Sequence, residues 1–282
     1  MQLSPLTPRL GAEITDIDLR HLDSSAVDEL RQLWLRYKVL FLREQTIDLD
    51  GLLHFSRHFG ELMQLPYIRP HDGYPDIIRV LKEADEINMG VFGGDWHSDF
   101  SFLEAPPSAS ILYAEQVPVV GGDTLWIDMG AALAALPAQQ RALLDGKYAI
   151  HSGTPYGVAH APAEETQFRG SIQIERNNPE ADRETRHPVI CQHPESGEAL
   201  LFINPTYTTR IEGLGPAQSE DLLRSLYEHC TRPEFTCRFR WRPGSLALWD
   251  NRSTLHYVVN DYDGHRRCLY RTTIAGGIPQ PA

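Results

Sequence analysis

The run Trp96-His97-Ser98-Asp99 places an imidazole and a carboxylate two residues apart. On an extended chain, residues two apart share a face, so His97 and Asp99 present two donors side by side. A third donor is available at His256, in the run Trp249-Asp250-Asn251-Arg252-Ser253-Thr254-Leu255-His256. Two histidines and one aspartate on one face of an octahedral ion are the ligand set of non-haem Fe(II) oxygenases. Such a set leaves open positions that a chelating 2-oxo acid and O₂ can fill. Thr124 follows Asp99 by 25 residues in a Gly-Gly-Asp-Thr turn, and Arg267 follows His256 by 11. A hydroxyl and a bidentate guanidinium are the groups that hold the far carboxylate of a dicarboxylic co-substrate. Arg271 lies four residues beyond Arg267, on the same face of a regular strand. Two inward-facing arginines are costly unless each meets an anion, which points to a bound co-substrate and an anionic substrate. The competing reading pairs Arg271 with a buried acid such as Asp250.

These residues need a β framework. From about residue 95 onward, short β runs broken by Gly and Pro dominate: Ser110–Tyr113, Thr124–Ile127, Val189–Gln192, Ala199–Ile203, Ser245–Trp249 and Arg267–Ile274. Phe235, Cys237, Phe239 and Trp241 alternate with polar residues, the period of a half-buried strand. Helical spacing predicts helices over Met129–Leu144 and Gln218–Cys230. Residues 1–60 read as an α/β lead-in. Ala12, Ile14 and Ile17 suggest a strand, Ser24 or Ser25 caps a helix, Val39–Leu42 is a buried strand, and a second helix runs from Leu49 to Phe59 before Gly60. The whole chain is expected to form one catalytic domain, mainly β with helical decoration, of sandwich or jelly-roll type. Residues 153–186 are polar and lack either period, which suggests an active-site lid. Of the other histidines, only His151, beside that segment, draws notice.

The 282 residues carry 38 acids against 26 bases, a net charge of −12 with histidine neutral. A basic face for nucleic acid or for anionic lipid is therefore not expected. No run approaches the ~20 apolar residues of a membrane span, and no signal sequence is visible, so a cytoplasmic protein is expected. The four cysteines form no CxxC pair, which excludes zinc-ribbon and dithiol redox motifs. No internal repeat appears, and a homo-oligomer is left open.

The motifs WHSD, GGDTLW, WDNRSTLHY and RRCLYRTT resemble those of the Fe(II)/2-oxoglutarate-dependent dioxygenases of the taurine and phenoxyacetate dioxygenase family. The likeness extends to LGAEITDIDL, YKVLFLREQ, HFGEL and LLFINPTYTTRI, and so covers nearly the whole chain. It implies a double-stranded β-helix core, iron held by His97, Asp99 and His256, and 2-oxoglutarate held by Thr124 and Arg267. Arg271 matches the family position that meets the substrate's anionic group. Asp99, where halogenases have Ala or Gly, implies hydroxylation, with O₂ as oxidant and succinate and CO₂ as products. Taurine-type members carry a sulfonate-contacting histidine after the FGEL motif, where this chain reads Met63-Gln64-Leu65-Pro66-Tyr67-Ile68-Arg69. A small anion other than taurine is therefore expected, a sulfonate, sulfate ester, carboxylate or phosphonate, with Tyr67, Arg69, Phe100 and Tyr207 as pocket candidates. A taurine or alkylsulfonate dioxygenase is the nearest alternative. A zinc hydrolase would use the triad without needing Thr124 and Arg267, and a binding module would keep the cavity without a redox metal.

Overall fold

The computed structural model describes residues 1–158 and 171–282. Its largest sheet has seven strands in the order Gln2–Pro5, Ala12–Thr15, Val39–Leu42, Leu246–Asp250, Ala109–Gln116, Arg267–Ile274 and Ile78–Lys82. Three smaller sheets are centred on Thr124–Asp128, Tyr148–Ser152 and Ile190–Gln192. Thr124–Asp128 pairs antiparallel with Thr236–Phe239 on one side and Thr254–Val258 on the other. The chain is mainly β with helices added, as its short β runs predict.

The period of two explains how the large sheet is buried on both faces. Leu40, Leu42, Leu246 and Leu248 point to one side, where Leu30 and Trp34 of the helix Ser24–Tyr37 and Phe55 of the helix Leu49–Arg57 cover them. Val39, Phe41, Ala247 and Trp249 point to the other side, against Trp126, Cys237 and Phe239 of the neighbouring sheet. Phe41 stacks on Phe239 with ring centroids 4.0 Å apart, and Trp126 meets Trp249 edge-on at 6.0 Å. Each such aliphatic or aromatic side chain contributes about 1.5–3 kcal/mol by leaving water. This double burial makes the central sheet a stiff base for the residues at its edges.

Several boundaries differ from expectation for local reasons. Asp23, not Ser24 or Ser25, caps the first long helix, its carboxylate accepting from the Ala26 amide. The expected helix Met129–Leu144 is two short helices, Met129–Ala134 and Ala138–Ala142, because Pro137 interrupts the ladder. Pro216 opens the helix Pro216–Cys230, two residues before the predicted start. Gly60 lies beyond the helix Leu49–Arg57, and a Cβ there would sit 2.6 Å from the Ile274 side chain. The expected lid has structured shoulders: a 3₁₀ turn at Thr154–Tyr156, another at Pro179–Asp182, and the strand Glu184–Pro188. Its residues 159–170 lie outside the described residues. Among the described residues no helix is long and apolar enough to cross a membrane.

Candidate metal centre and active site

His97 does not sit on a full strand. It forms a single antiparallel bridge with His256, each residue's amide donating to the other's carbonyl at 3.1 and 2.8 Å. His256 itself belongs to the strand Thr254–Val258, so the bridge ties the His97–Asp99 turn to the sheet. The imidazole rings lie 4.1 Å apart, centroid to centroid. Asp99 Oδ1 is 3.6 Å from His97 Nε2 and 3.7 Å from His256 Nε2, and the three donor atoms lie within 4.8 Å of one another. All three side chains are buried. His97 Nδ1 donates to the Asp95 carbonyl at 2.7 Å, which fixes the tautomer that leaves Nε2 as a lone-pair donor.

The electrostatics suit a cation. Burial alone would raise the Asp99 carboxyl, but Arg271, His256 and His97 outweigh it and hold the group well below the usual carboxylate range. Burial, together with neighbouring His97, pushes His256 well below the usual histidine value. The neutral His256 imidazole and the ionised Asp99 carboxylate are in the state that metal ligation requires. A donor set of this type and spacing fits a single divalent ion.

Arg271 meets two side chains of the site itself. Its Nη2 lies 2.6 Å from Asp99 Oδ2 and donates to Ser110 Oγ at 3.0 Å, while Ser110 Oγ donates to the same Asp99 oxygen at 2.7 Å. The arginine meets a buried acid, as the competing reading had it, but the acid is Asp99. Asp250 is taken by Arg252 and His193. Two further residues, missed in the sequence, brace this network. Asn251 Nδ2 donates to Ser110 Oγ at 3.0 Å, and Ser98 Oγ donates to the Asn251 carbonyl at 2.6 Å. Their signals were present in WDNRSTLHY, where Asn251 follows a buried strand, and in WHSD, where Ser98 stands between two candidate ligands.

Thr124 and Arg267 come together around Trp241. The indole Nε1 donates to Thr124 Oγ1 at 2.9 Å, and the Arg267 guanidinium lies 5.9 Å from the same ring's centroid. Arg267 is buried, and its Nε and Nη2 have no hydrogen-bond partner among the described residues. Burial lowers its pKa from the usual arginine value. Gly122, at a φ of +67°, lets the chain pass under this side chain; a Cβ there would come within 3.1 Å of it. A buried guanidinium with two unpaired nitrogens beside a buried threonine fits the carboxylate end of a 2-oxo diacid.

A cavity of about 140 Å³ opens on His97 and Asp99. Phe92, Tyr156, Arg176 and Tyr207 line its wall. Val91 and Phe92 also line the small space beside Arg267. Tyr207 turns its ring edge toward His97 at 6.4 Å and shares a 3.2 Å hydroxyl contact with Tyr156. Burial pushes the Tyr156 hydroxyl up to about 12. Tyr67 and Phe100 both stack on Tyr156 from behind, at 5.4 and 5.6 Å, and both have positive φ. Arg69 does not reach the cavity: its exposed guanidinium bonds Gln173 and Asp72. A hydrophilic residue in a short loop can point either way, and this one points to solvent. Tyr156 and Arg176 were missed because they lie in a segment with no readable period.

The sheet framework and the two-histidine, one-carboxylate cluster define a metal-dependent enzyme of the 2-oxo-acid type. The family model described as taurine catabolism dioxygenase TauD, TfdA family matches residues 2–273, so the chain belongs to that family of Fe(II)- and 2-oxoglutarate-dependent dioxygenases. An alpha-ketoglutarate-dependent sulfate ester dioxygenase of Pseudomonas putida is 36% identical, over 99% of this chain and 91% of the relative. An alpha-ketoglutarate-dependent 2,4-dichlorophenoxyacetate dioxygenase of Cupriavidus pinatubonensis is 35% identical, over 96% of each. The crystal structure of a taurine dioxygenase from Burkholderia xenovorans superposes with a TM-score of 0.81 at 35% identity, covering 99% of this chain and 92% of its own.

Proposed function

We propose that this dioxygenase hydroxylates a C–H bond of a small anionic organic molecule, such as a sulfate ester, sulfonate, carboxylate or phosphonate. His97, Asp99 and His256 hold Fe(II), and Thr124 with Arg267 holds the far carboxylate of 2-oxoglutarate. Iron, 2-oxoglutarate and O₂ together supply the oxidation, in which C–H becomes C–OH and 2-oxoglutarate leaves as succinate and CO₂. The chain's own part is to aim three ligands, bind the two organic molecules side by side and keep water from the reacting bond. Asp95 fixes the His97 tautomer through its carbonyl, while Ser110 and Arg271 hold the outer oxygen of Asp99. Tyr156 and Tyr207 form an aromatic wall against the substrate. On this reading residues 1–282 are one catalytic domain with a double-stranded β-helix core. Residues 1–60 are its lead-in, and the segment 153–186 covers the site. A cytoplasmic setting agrees with four buried cysteines that form no disulfide.

The observation that carries the reading is the buried Arg267 guanidinium, whose Nε and Nη2 have no hydrogen-bond partner among the described residues. A zinc hydrolase would use the same triad but has no need of a buried arginine waiting for a carboxylate. Relatives that act on a sulfate ester and on a phenoxyacetate support an anionic substrate of a kind other than taurine. Anaerobic addition of Fe(II) and 2-oxoglutarate should give a visible charge-transfer band, absent in His97→Ala. Arg267→Lys, which loses the planar fork, should raise the KM for 2-oxoglutarate about 10- to 100-fold, the worth of one charged hydrogen-bond pair. A wild-type protein with no band, or with 2-oxoglutarate-independent turnover, would overturn the assignment.

A further inference from the structure

We infer that Thr206 is a positioning residue of this site, its hydroxyl holding the backbone from which His97 reaches the metal. The inference rests on the dioxygenase reading above and adds a residue that is neither a ligand nor a co-substrate contact. The turn 97–102 carries two of the three ligands, yet the bridge between His97 and His256 is its one tie to a strand ladder. Within it Phe100 sits at a φ of +47°, a left-handed conformation that a bulky side chain keeps only when its surroundings over-determine it. Something beyond the bridge must therefore hold the turn, and the loop 204–208 is placed to do so.

Thr206 Oγ1 donates to the Trp96 carbonyl at 3.0 Å. The other polar group of that same peptide unit, the His97 amide, donates to the His256 carbonyl at 3.1 Å. A peptide unit is planar, so holding its oxygen and its N–H from two separate elements fixes its orientation. The Cα of His97 lies in that plane, and the root of the imidazole is set before any ion binds. Without the hydroxyl, the plane hangs on the strand Thr254–Val258 alone. The loop is a firm anchor because the buried Asn204 closes it on itself. Asn204 Oδ1 accepts from the Tyr207 amide at 2.9 Å, and its carbonyl accepts from the Thr208 amide and the Tyr227 hydroxyl, each at 3.0 Å. Asn204 Nδ2 donates to Ser101 Oγ at 2.8 Å, a second hold two residues beyond Asp99. The loop thus grips the turn on both sides of its ligands. Thr206 and Tyr207 also line the cavity that opens on His97 and Asp99, so one loop both anchors ligands and shapes the substrate wall.

The test titrates the full-length, metal-free protein anaerobically with Fe(II) against a chromophoric chelator, then adds 2-oxoglutarate and records the charge-transfer band. Thr206→Val keeps the shape and removes the hydroxyl. It should weaken Fe(II) binding about tenfold, the lower end of what a partner behind a metal ligand contributes, and should shift or broaden the band. Thr206→Ser keeps the hydroxyl and should match the wild type in both readouts. Thr206→Ala also lacks the hydroxyl and should behave like Thr206→Val; it serves if the valine variant does not fold. The melting temperature of each metal-free protein is read alongside. A hydroxyl that merely stabilises the fold would lower that temperature and leave Fe(II) affinity and the band of the folded protein unchanged. That result overturns the assignment, as would a serine variant as weak as the valine one. A wild type that binds Fe(II) but gives no band with 2-oxoglutarate fails the dioxygenase reading instead, while the affinities of the variants still decide the role of Thr206. A wild type that binds no Fe(II) overturns both.

Discussion

The two oxygens of Asp99 have different partners, and the difference orders the site. Oδ1 faces His97 and His256 at 3.6 and 3.7 Å, while Oδ2 receives Arg271 and Ser110 at 2.6 and 2.7 Å. The outer pair keeps the carboxylate ionised and fixes its rotation, so the inner oxygen is aimed before any ion arrives. Groups that orient a metal ligand in this way are typically worth 10- to 100-fold in metal affinity. Ser110→Ala removes one of the two outer donors while leaving the charge of Arg271. It should weaken Fe(II) binding about tenfold, read by competition with a chelator. Stability should fall by about 1.5–3 kcal/mol, the worth of a buried hydrogen bond to a charged group. Equal affinity in variant and wild type would mean that Arg271 alone holds the carboxylate.

At the scale of elements, the site depends on one glycine turn as much as on strands. Gly93 has a φ of +82°, and a Cβ there would lie 3.2 Å from His97 Cε1 and 3.3 Å from Val258. Its carbonyl accepts the Val258 amide at 2.8 Å, so the turn is sewn to the strand that carries His256. Gly93→Ala adds about 1 kcal/mol or more of left-handed strain and presses on the ring of His97. Reduced iron affinity with a lowered melting temperature is the expected result; a variant that binds iron as the wild type does would show that the turn yields freely. The same contrast explains what the sequence made legible. Arg267–Ile274 was readable end to end because it is a long run packed on both sides. The spacing of His97, Asp99 and His256 was readable because ligand chemistry restricts residue types. The placement of His97 on a lone bridge was not, since the identity of one paired residue leaves no period. Strands such as Ile78–Lys82 and Tyr148–Ser152 are set by their neighbours rather than by alternation, and Arg271's partner is a tertiary fact that spacing along one strand cannot supply.

For the whole molecule, two electrostatic effects oppose one another as the pH falls. The net charge of −12 shrinks toward the isoelectric point near 5.4, relieving repulsion between surface acids. That relief is spread over exposed groups and screened within about 8 Å at physiological salt. Against it stands a pair of buried histidines, His151 and His187, whose rings meet edge-on at 5.2 Å under Phe202. Burial, reinforced by His187, pulls His151 down to about 3, and burial lowers His187 as well. A histidine depressed in the fold binds its proton first in the unfolded chain. Its stabilising contribution is therefore full above pH ~6.5 and is lost progressively as the pH falls toward the folded value, at up to about 1.4 kcal/mol per pH unit for each group. Asp250, held down against its own burial by Arg252 and His193, follows the same direction, but only as the pH falls through and below the ordinary carboxylate range. The buried pair should dominate between pH 6.5 and 5, so the melting temperature should fall there despite the shrinking net charge. His151→Leu keeps a similar volume, and Ser101 retains its bond from Asn204 at 2.8 Å. The variant should therefore show a shallower fall in melting temperature over this window, while parallel curves would assign the acid sensitivity to other groups.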